Sequence, residues 1–330
     1  MANISDVAAL AGVSTATVSR ALNGKATVDP ELSARVLAAA EELGYRPNGP
    51  ARNLRKQETA VLALIISDVE NPFFTAIARG VEDVAHAAGY SLVLCNSDDE
   101  QAKEREYVDV ALQERVAGVL LSPTGNADTA ELLERHTTPV VAVDRPLPNG
   151  RSDTVLLNNR PAAKEAALHL AERGYRRIGC LPGPSGVLTA DERLAGYRDG
   201  LRAAKLPSST SLVRRSRFKA EGARDSARSL LTQEPPPDAV LVANNVMAVG
   251  VLETLAELGL RPGRDVGVLA FDDAPWTTLL DPPLTVVSQP AYDMGAMAAQ
   301  LLLDRLASPG GAPTTQTLSA DLVVRGSTTR

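Results

Sequence analysis

The chain has 330 residues, more than one ordinary hydrophobic core supports, so its length predicts two or three domains. Hydrophobic residues make up 44% and charged residues 22%, a composition that excludes a disordered chain. The net charge of −6 at pH 7 excludes a protein that binds nucleic acid over its whole surface.

Further classes are excluded by what the sequence lacks. No run approaches the ~20 apolar residues that a membrane span requires, and the opening MANISDVAAL is not typical of a secretory signal. Cys95 and Cys180 each lie in a short apolar run, and their spacing predicts neither a disulfide framework nor a zinc site. We therefore expect a cytoplasmic protein with no metal, no cofactor and no membrane partner.

Three short helices are predicted in residues 1–46. The first begins near Asn3, the second runs through TATVSRALN behind Ser14, and the third extends from about Pro30 to Leu43. Gly12 separates the first two helices, which gives the spacing of a helix-turn-helix unit. Side chains of the third helix are expected to close its small core: Leu32, Val36, Leu37 and Leu43.

The second helix has a polar face that suits DNA. That face carries Thr15, Ala16, Ser19 and Arg20, and Asn23 follows it. Hydroxyls and amides bind phosphate oxygens, and an arginine binds both acceptors of guanine in the major groove. The alternative is a three-helix packing module whose polar face is only solvated.

The run ISDVAALAGVSTATVSRALNG, followed by VDPELSARVLAAAEELGYRPN, resembles the headpiece of the lactose-repressor/galactose-repressor (LacI/GalR) family of transcriptional regulators. The resemblance implies that Thr15, Ala16 and Arg20 face base edges. It also implies that a second group holds phosphates or sets the register of the helix: Ser5, Ser14, Thr17, Ser19, Asn23 and Tyr45.

Residues 47–58 are predicted to form a polar hinge segment, too short to be a stable helix alone. In the family this stretch folds only on the operator. The resemblance implies that Leu54 wedges between base steps in the minor groove, and Arg52 is expected near phosphates. Pro50 either favours this helix as its first residue or limits it.

From residue 59 onward, apolar strand-like runs alternate with amphipathic helical runs. The predicted strands are 61–67, 91–95, 118–122, 140–144, 154–157, 178–181, 239–243, 266–271 and 284–288. Continuous apolar strands separated by helices predict parallel sheets that are covered on both faces. We expect two lobes, of about 60–158 plus 290–315 and of about 160–288 plus 318–330, with a cleft between them.

This second part also resembles the effector domain of the same family, itself similar to periplasmic sugar-binding proteins. The expected fold is an all-α helix-turn-helix headpiece (1–46) joined by the hinge (47–58) to an α/β, two-lobed, doubly wound, periplasmic-binding-protein-like effector and dimerisation domain (59–330).

Aromatic side chains are scarce, yet five of them lie near predicted strand ends: Phe73, Phe74, Phe218, Phe271 and Trp276. Aromatic faces pack against the C–H faces of sugars and against flat bases. We expect all five to face the cleft, although ordinary loop packing is the alternative for any one of them.

Polar residues at strand ends or in early helical turns complete the predicted cleft: Arg193, Asn244, Asp272 and Gln289. An arginine fork with amide and carboxylate acceptors suits the neighbouring hydroxyls of a polyol. The resemblance matches Arg193, Asn244 and Asp272 to effector contacts. It extends to a further set: Phe73, Phe74, Asp144, Thr189, Phe218 and Gln289.

Two residues depart from the family pattern. Asn245 and Asn158 stand where the family usually or often has aspartate. Fewer acids in the cleft would suit an effector that is itself anionic, such as a sugar acid or a sugar phosphate.

No enzymatic class is predicted. GCLPGPSG lacks the G-x-G-x-x-G spacing of a nucleotide fingerprint, and His86, His136 and His169 are expected on helix surfaces. We expect a sequence-specific repressor that binds a pseudo-palindromic operator in double-stranded DNA as a homodimer, under the control of a sugar or sugar derivative. The alternatives are a catabolite-control regulator answering to a phosphoprotein corepressor and a repressor answering to a nucleobase or nucleoside. Induction and corepression both stay open.

Overall fold

The computed structural model describes residues 2–22, 28–45 and 59–329, and it divides into the compact units Met1–Thr59 and Ala60–Arg330. Several predicted DNA contacts, namely Asn23, Arg52 and Leu54, lie outside the described residues, as does Pro50.

Three helices make up the described part of the first unit: α1 (Ile4–Ala11), α2 (Thr15–Leu22) and α3 (Pro30–Glu42). Asn3 and Asp6 form a reciprocal capping box at the start of α1, which satisfies free N–H groups there. Gly12 ends α1 with a positive φ of 64°, a conformation that favours glycine and turns the chain toward α2.

A small core joins these helices: Val7, Ala8, Ala11, Val18, Ala21, Val36, Ala39 and Ala40. Val36 and Leu43 contribute as expected, but Leu37 is 53% exposed, so its predicted place in the core is wrong. The inward face of α3 is set by Val36, Ala39 and Ala40, and a residue directly after Val36 is rotated by about 100° away from that face.

The second unit alternates strands and helices along the chain. Its strands are β1 (Val61–Ile66), β2 (Ser91–Asn96), β3 (Gly118–Leu121), β4 (Val140–Val143), β5 (Asp153–Leu157), β6 (Ile178–Leu181), β7 (Ala239–Val242), β8 (Gly267–Phe271), β9 (Thr285–Ser288), β10 (Thr315–Leu318) and β11 (Asp321–Val323). Its α-helices are α4 (Pro72–Ala87), α5 (Gln101–Gln113), α6 (Ala127–Arg135), α7 (Asn159–Glu172), α8 (Leu188–Ala203), α9 (Ala220–Leu231), α10 (Asn245–Glu257) and α11 (Ala291–Ala307).

The strands form two sheets. The first has the order β10-β5-β4-β3-β1-β2 and is parallel throughout; the second has the order β11-β9-β8-β7-β6 and is parallel except for β11. Each sheet and its covering helices make one lobe. The chain passes between the lobes after β5, after β9 and after β10, so β10 belongs to the first lobe as far as Leu318.

Helix α11 returns to the first lobe and packs tightly on α4. A Cβ on Gly80 would lie 2.1 Å from the Tyr292 carbonyl oxygen, and a Cβ on Gly295 would lie 2.1 Å from the Ile77 oxygen. Glycine therefore lets the two backbones approach closely. This packing fixes α4, whose first turn borders the cleft between the lobes.

The lobes repeat one plan. The first four strands of the first lobe lie in the order β2-β1-β3-β4, followed by β5. In the second lobe β6, β7, β8 and β9 follow the same order, and an isolated parallel bridge between Cys180 and Val213 lies where the matching edge strand would lie. Residues that follow equivalent strands therefore face each other across the cleft.

Candidate effector site and nucleic-acid interface

A cavity of about 480 Å³ lies between the lobes, at the carboxyl ends of their strands. Most of the predicted effector residues line it: Phe73, Phe74, Asp144, Thr189, Arg193, Phe218, Asn244, Asp272 and Gln289. Parallel strands end at the same edge of each sheet, which is why residues distant in sequence converge here.

Aromatic rings line the cavity from both lobes. Phe73 and Phe74, in the first turn of α4, pack edge to face with centroids 5.1 Å apart and planes inclined by 72°. Phe218 belongs to the second lobe, and its ring occupies the space beside Gly183, where a Cβ would lie 2.2 Å from it. The rings offer flat apolar surfaces to a ligand.

Three hydrogen bonds hold the Arg193 guanidinium in the cavity wall. Its Nε donates to Asn159 Oδ1 at 2.7 Å, Nη1 donates to the Ala243 carbonyl, and Nη2 donates to Gln289 Oε1 at 3.3 Å. Its guanidinium carbon lies 4.2 Å from the centre of the Phe271 ring. Such contacts fix the fork of donors in one orientation.

Burial of these charges shifts their titration. Burial lowers the pKa of Arg193, against the attraction of Asp272 and Asp144, which raises it. Burial raises the pKa of Asp144, and Arg145 and Arg193 partly oppose that change. The site thus places a cation between two carboxylates in a place where water screens little.

Two predicted aromatic contacts do not reach the cavity. Phe271 is fully buried in the core of the second lobe, beneath the guanidinium of Arg193. Trp276 lies in a short 3-10 helix, Pro275–Thr278, and packs against the second-lobe core instead of lining the cavity. The prediction for both is wrong because a strand end positions only the residues that immediately follow it.

Despite Asn245 and Asn158, carboxylates are the more numerous charged groups of the cavity. The described lining includes six carboxylates, Asp68, Asp98, Asp99, Glu100, Asp144 and Asp272, and four basic groups, Arg145, Arg193, Arg217 and Lys219. Asn245 lies behind the wall of the cavity and bonds Asp272 and Asn71, while Asn158 is exposed at the start of α7.

Helix α2 shows two distinct faces. Val18 and Ala21 are buried in the core, whereas Thr15, Ala16 and Arg20 are exposed on the other side. A short helix with its polar residues projecting from a small core has the geometry of a recognition helix for the major groove.

The remaining predicted contacts near α2 differ in exposure. The Ser14 hydroxyl accepts the Thr17 N–H and so caps the helix, and it also lies 2.9 Å from Thr17 Oγ1. Ser5 is exposed on α1, whereas Ser19 is half-buried and Tyr45 packs half-buried against the headpiece core.

Two tests for other classes of protein give negative results within the described ranges. No cluster of three or more His, Cys, Asp or Glu side chains there is arranged to hold a metal ion. No described helix is long and apolar enough to cross a membrane. His169, which was predicted on a surface, is buried and its Nε2 lies 2.9 Å from Thr328 Oγ1.

Comparison with known proteins agrees with both halves of the chain. Residues 3–48 match the family described as bacterial regulatory proteins, lacI family, and residues 167–328 match a periplasmic binding protein-like domain. The ribose operon repressor of Escherichia coli K12 is 35% identical over 329 residues, which cover 99% of this chain and 100% of that protein. The chain belongs to the LacI family.

Two solved structures match the chain over nearly its whole length. A complex of the transcriptional regulator CelR with cellobiose is 32% identical, has a TM-score of 0.76, and is matched over 99% of this chain and 100% of that chain. The lac repressor dimer bound to operator and the anti-inducer ONPF is 26% identical, has a TM-score of 0.88, and is matched over 100% and 99%. This LacI-family chain is therefore a DNA-binding transcriptional regulator.

The cavity of this LacI-family protein includes residues that the sequence analysis missed: Ser67, Asp68, Asn71, Asp98, Asp99, Glu100, Arg145, Pro184, Arg217 and Lys219. Ser67 and Asp68 directly follow β1, so their place at the end of a predicted strand was a signal that they line the cleft. Lys219 gave no such signal: its ammonium lies 2.8 Å from Asp68 Oδ2, a contact between lobes that only the tertiary structure brings together.

Proposed function

We propose that this protein is a repressor whose affinity for operator DNA is set by a neutral sugar or sugar derivative bound in the cavity between its lobes. The observation that carries the proposal is that the fixed Arg193 fork, Asp272 and Asn244 line one cavity together with phenylalanine rings. We also propose that the protein works without catalysis or a cofactor, and in the cytoplasm, where operator DNA is found.

The chemistry of the cavity suits a polyol. Hydroxyl groups both donate and accept, so a ring that carries several of them satisfies a guanidinium and a carboxylate at once. The C–H faces of the ring pack on phenylalanine. The name of the ribose operon repressor and the cellobiose bound to CelR support a saccharide as the ligand class.

The balance of charge favours a neutral ligand over an anionic one. Carboxylates outnumber basic groups among the lining residues, and Lys219 is already paired with Asp68. A sugar acid or sugar phosphate would add negative charge to a partly buried site that already holds an excess of it. This excess of negative charge disfavours the anionic effector that Asn245 and Asn158 suggest.

We propose that DNA is bound by a homodimer through the exposed face of α2. Two such helices placed about one turn of DNA apart, roughly 34 Å, read the two halves of a pseudo-palindromic site. The lac repressor dimer on its operator supports this arrangement for a LacI-family chain. We propose the predicted division into headpiece (1–46), hinge (47–58) and effector domain (59–330) as the functional division.

The effector acts by linkage. It changes operator affinity only to the extent that it binds the two states of the protein with different affinities. The cavity lies between lobes that bond each other through Lys219 and Asp68, so a ligand that contacts both lobes alters the balance between open and closed clefts.

A thermal-shift screen tests the ligand class. The purified full chain is melted with D-ribose, cellobiose, D-ribonate, ribose 5-phosphate, adenosine and cytidine. We expect the largest rise in melting temperature with a neutral saccharide, and none when Asp272 is replaced by alanine. If only the nucleosides raise the melting temperature, the effector is a nucleoside and not a sugar. If only the sugar acid or the sugar phosphate raises it, the preference for a neutral ligand is wrong.

A DNA selection from genomic fragments tests the operator. We expect enrichment of a two-fold symmetric site, and a change of its affinity when the stabilising ligand is added. A lower operator affinity in the presence of ligand indicates induction, and a higher operator affinity indicates corepression. Equal retention of all fragments would contradict sequence-specific repression, and operator binding that depends on an added phosphoprotein but on no small molecule would favour the catabolite-control alternative.

A further inference from the structure

A chain of hydrogen bonds crosses the back of the cavity from one lobe to the other. Arg193 Nη2 donates to Gln289 Oε1 at 3.3 Å, and Gln289 Nε2 donates to Asp272 Oδ1. Asp272 Oδ2 accepts from the Asn245 backbone N–H at 3.2 Å and from Asn245 Nδ2 at 2.9 Å. Both oxygens of the carboxylate that lines the cavity are thus held by fixed donors.

The chain of hydrogen bonds continues into the first lobe through the side-chain amide of Asn245. Asn245 Nδ2 also donates to Asn71 Oδ1 at 2.8 Å, and that oxygen accepts the Phe73 backbone N–H at 3.0 Å. Asn245 is 1% exposed and Asn71 is 5% exposed, so water does not replace these bonds freely. Because the Phe73 N–H must donate to an oxygen, the atom of the Asn71 amide that faces it is Oδ1. Asn245 must therefore turn its NH₂ group toward that oxygen.

The hydrogen-bonded side chains form a wall that has open space on both sides. A second cavity of about 510 Å³ lies behind it, and Phe73, Asp272 and Gln289 line both cavities, while Asn245 faces only the rear one. In a close-packed interior, side chains resist displacement because there is no room for them. Here the linked side chains have room to shift when a ligand draws Asp272 forward.

We propose that Asn245 is a positioning residue that couples the ligand-binding carboxylate of Asp272 to the start of helix α4 in the opposite lobe. The two Asn245 donors hold the Asp272 carboxylate in the orientation in which it accepts from a ligand hydroxyl. The same amide holds Asn71, so the engagement is transmitted to the first turn of α4, which carries Phe73 and Phe74. The role in ligand response rests on the proposed function, whereas the bond between the lobes does not.

Hydrogen–deuterium exchange of the ligand-free full chain tests the bond. The first-turn N–H groups of α4 are bonded to Asn71 Oδ1 and to the Asn71 carbonyl. We expect Asn245→Ala to speed exchange in residues 71–78 about tenfold, which corresponds to ~1.4 kcal/mol, without changing exchange in β7. Asn245→Asp is the isosteric second variant. It cannot donate to Asn71, so Asn71 must either lose the bond or turn its NH₂ and uncap Phe73, and protection falls in both cases.

Two further variants separate this role from a local one. Asn126 caps α6 by accepting the Asp128 N–H at 3.0 Å, and Asn126→Ala is expected to speed exchange only near residues 127–130. Asn71→Asp keeps the acceptor and should keep the protection of residues 71–78. Faster exchange near residues 245–250 with unchanged exchange at 71–78 in both Asn245 variants would overturn the proposal.

D-Ribose serves as the probe for the ligand response. Isothermal titration is expected to show at least a tenfold weaker affinity in Asn245→Ala than in the wild type, and an unchanged affinity in Asn126→Ala. An unchanged affinity in Asn245→Ala would remove the coupling to ligand. If the wild type does not bind D-ribose, the choice of ribose fails, and the exchange experiment still decides whether Asn245 links the lobes.

Discussion

Asp144 and Asp272 occupy equivalent places in the two lobes and face one cavity. Asp144 directly follows β4 and Asp272 directly follows β8, the strand at the equivalent place in the second sheet, and each has a positive φ, 70° and 74°. The Asp144 N–H donates to the Val155 oxygen at 3.0 Å, and the Asp272 N–H donates to the Val287 oxygen at 2.9 Å. The repeated fold thus presents one carboxylate from each side, with Arg193 between them.

Asp144 holds its charge at a cost in stability. Burial raises its pKa, so the folded state binds a proton more readily than the unfolded state does. The cost is absent below the ordinary pKa of about 3.9 and reaches its full value above the raised folded pKa. We expect Asp144→Asn to raise the melting temperature of the second unit by about 2–4 °C at pH 8.

The pH profile provides the check. The difference between Asp144→Asn and the wild type should shrink as the pH falls from 8 toward the ordinary aspartate pKa of about 3.9, because the raised pKa makes the wild-type carboxylate take up its proton above that value. The exposed Asp225→Asn is the control, with no such trend. A gap that widens toward pH 5 would contradict the argument. Ligand affinity should fall in Asp144→Asn, because the substitution that stabilises the fold also removes a charged group from the site.

Continuous apolar runs made the strands predictable. Strands β1 and β6, with the sequences VLALII and IGCL, have almost no solvent-facing positions, which is typical of strands that are covered on both faces. Because parallel strands all end at one edge, the site residues that immediately follow them, such as Asp144 and Asp272, were predictable too.

Features that depend on tertiary contacts were not predictable. Strand β11 pairs antiparallel with β9 only because the chain has crossed back between the lobes. Helix α6, with the sequence ADTAELLER, is only nine residues long, too short for its periodic pattern to stand out in the sequence. The ion pair between Lys219 and Asp68 joins residues 151 positions apart, which no local pattern records.

Arg193 should not tolerate replacement by lysine. The guanidinium bonds acceptors on three segments and stacks over Phe271, whereas an ammonium group is a point charge without a planar fork. We expect Arg193→Lys to weaken ligand binding at least tenfold, about 1.4 kcal/mol, in isothermal titration. Arg193→Met should also lower the melting temperature, because Asp144 and Asp272 then lose the cation between them.

Arg202→Lys supplies the control for these variants, since its side chain is 77% exposed and lies on the same helix α8. Neither ligand affinity nor melting temperature should change in it. Wild-type ligand affinity in Arg193→Lys would mean that only the charge at this position matters.

Arg20 should carry specificity at the operator. It is exposed near the end of α2, opposite the buried face formed by Val18 and Ala21. If it binds a guanine edge, Arg20→Ala should weaken operator binding by about 1–3 kcal/mol and relax the preference at one base pair. Gel-shift titration on the selected operator and its point variants measures both effects. Equal weakening on every sequence would instead indicate a phosphate contact.

His169 should make the second unit less stable in mild acid. Thr285 Oγ1 donates to the Arg325 carbonyl, so the Thr328 hydroxyl must donate to Thr285 and accept from His169 Nε2–H. The imidazole thus donates through Nε2–H within a buried network that includes Thr328, and burial lowers its pKa, which favours the neutral form.

The direction of the pH effect follows from this lowered pKa. The unfolded chain binds a proton at its ordinary pKa of about 6.5, and the folded chain resists it to lower pH. The stability of the second unit is therefore complete above that value and falls as the pH drops through it. Thermal melts between pH 7.5 and 5.5 should show this loss. His169→Gln keeps a donor without titrating and should flatten the profile, and equal slopes in the two proteins would mean that other groups cause it.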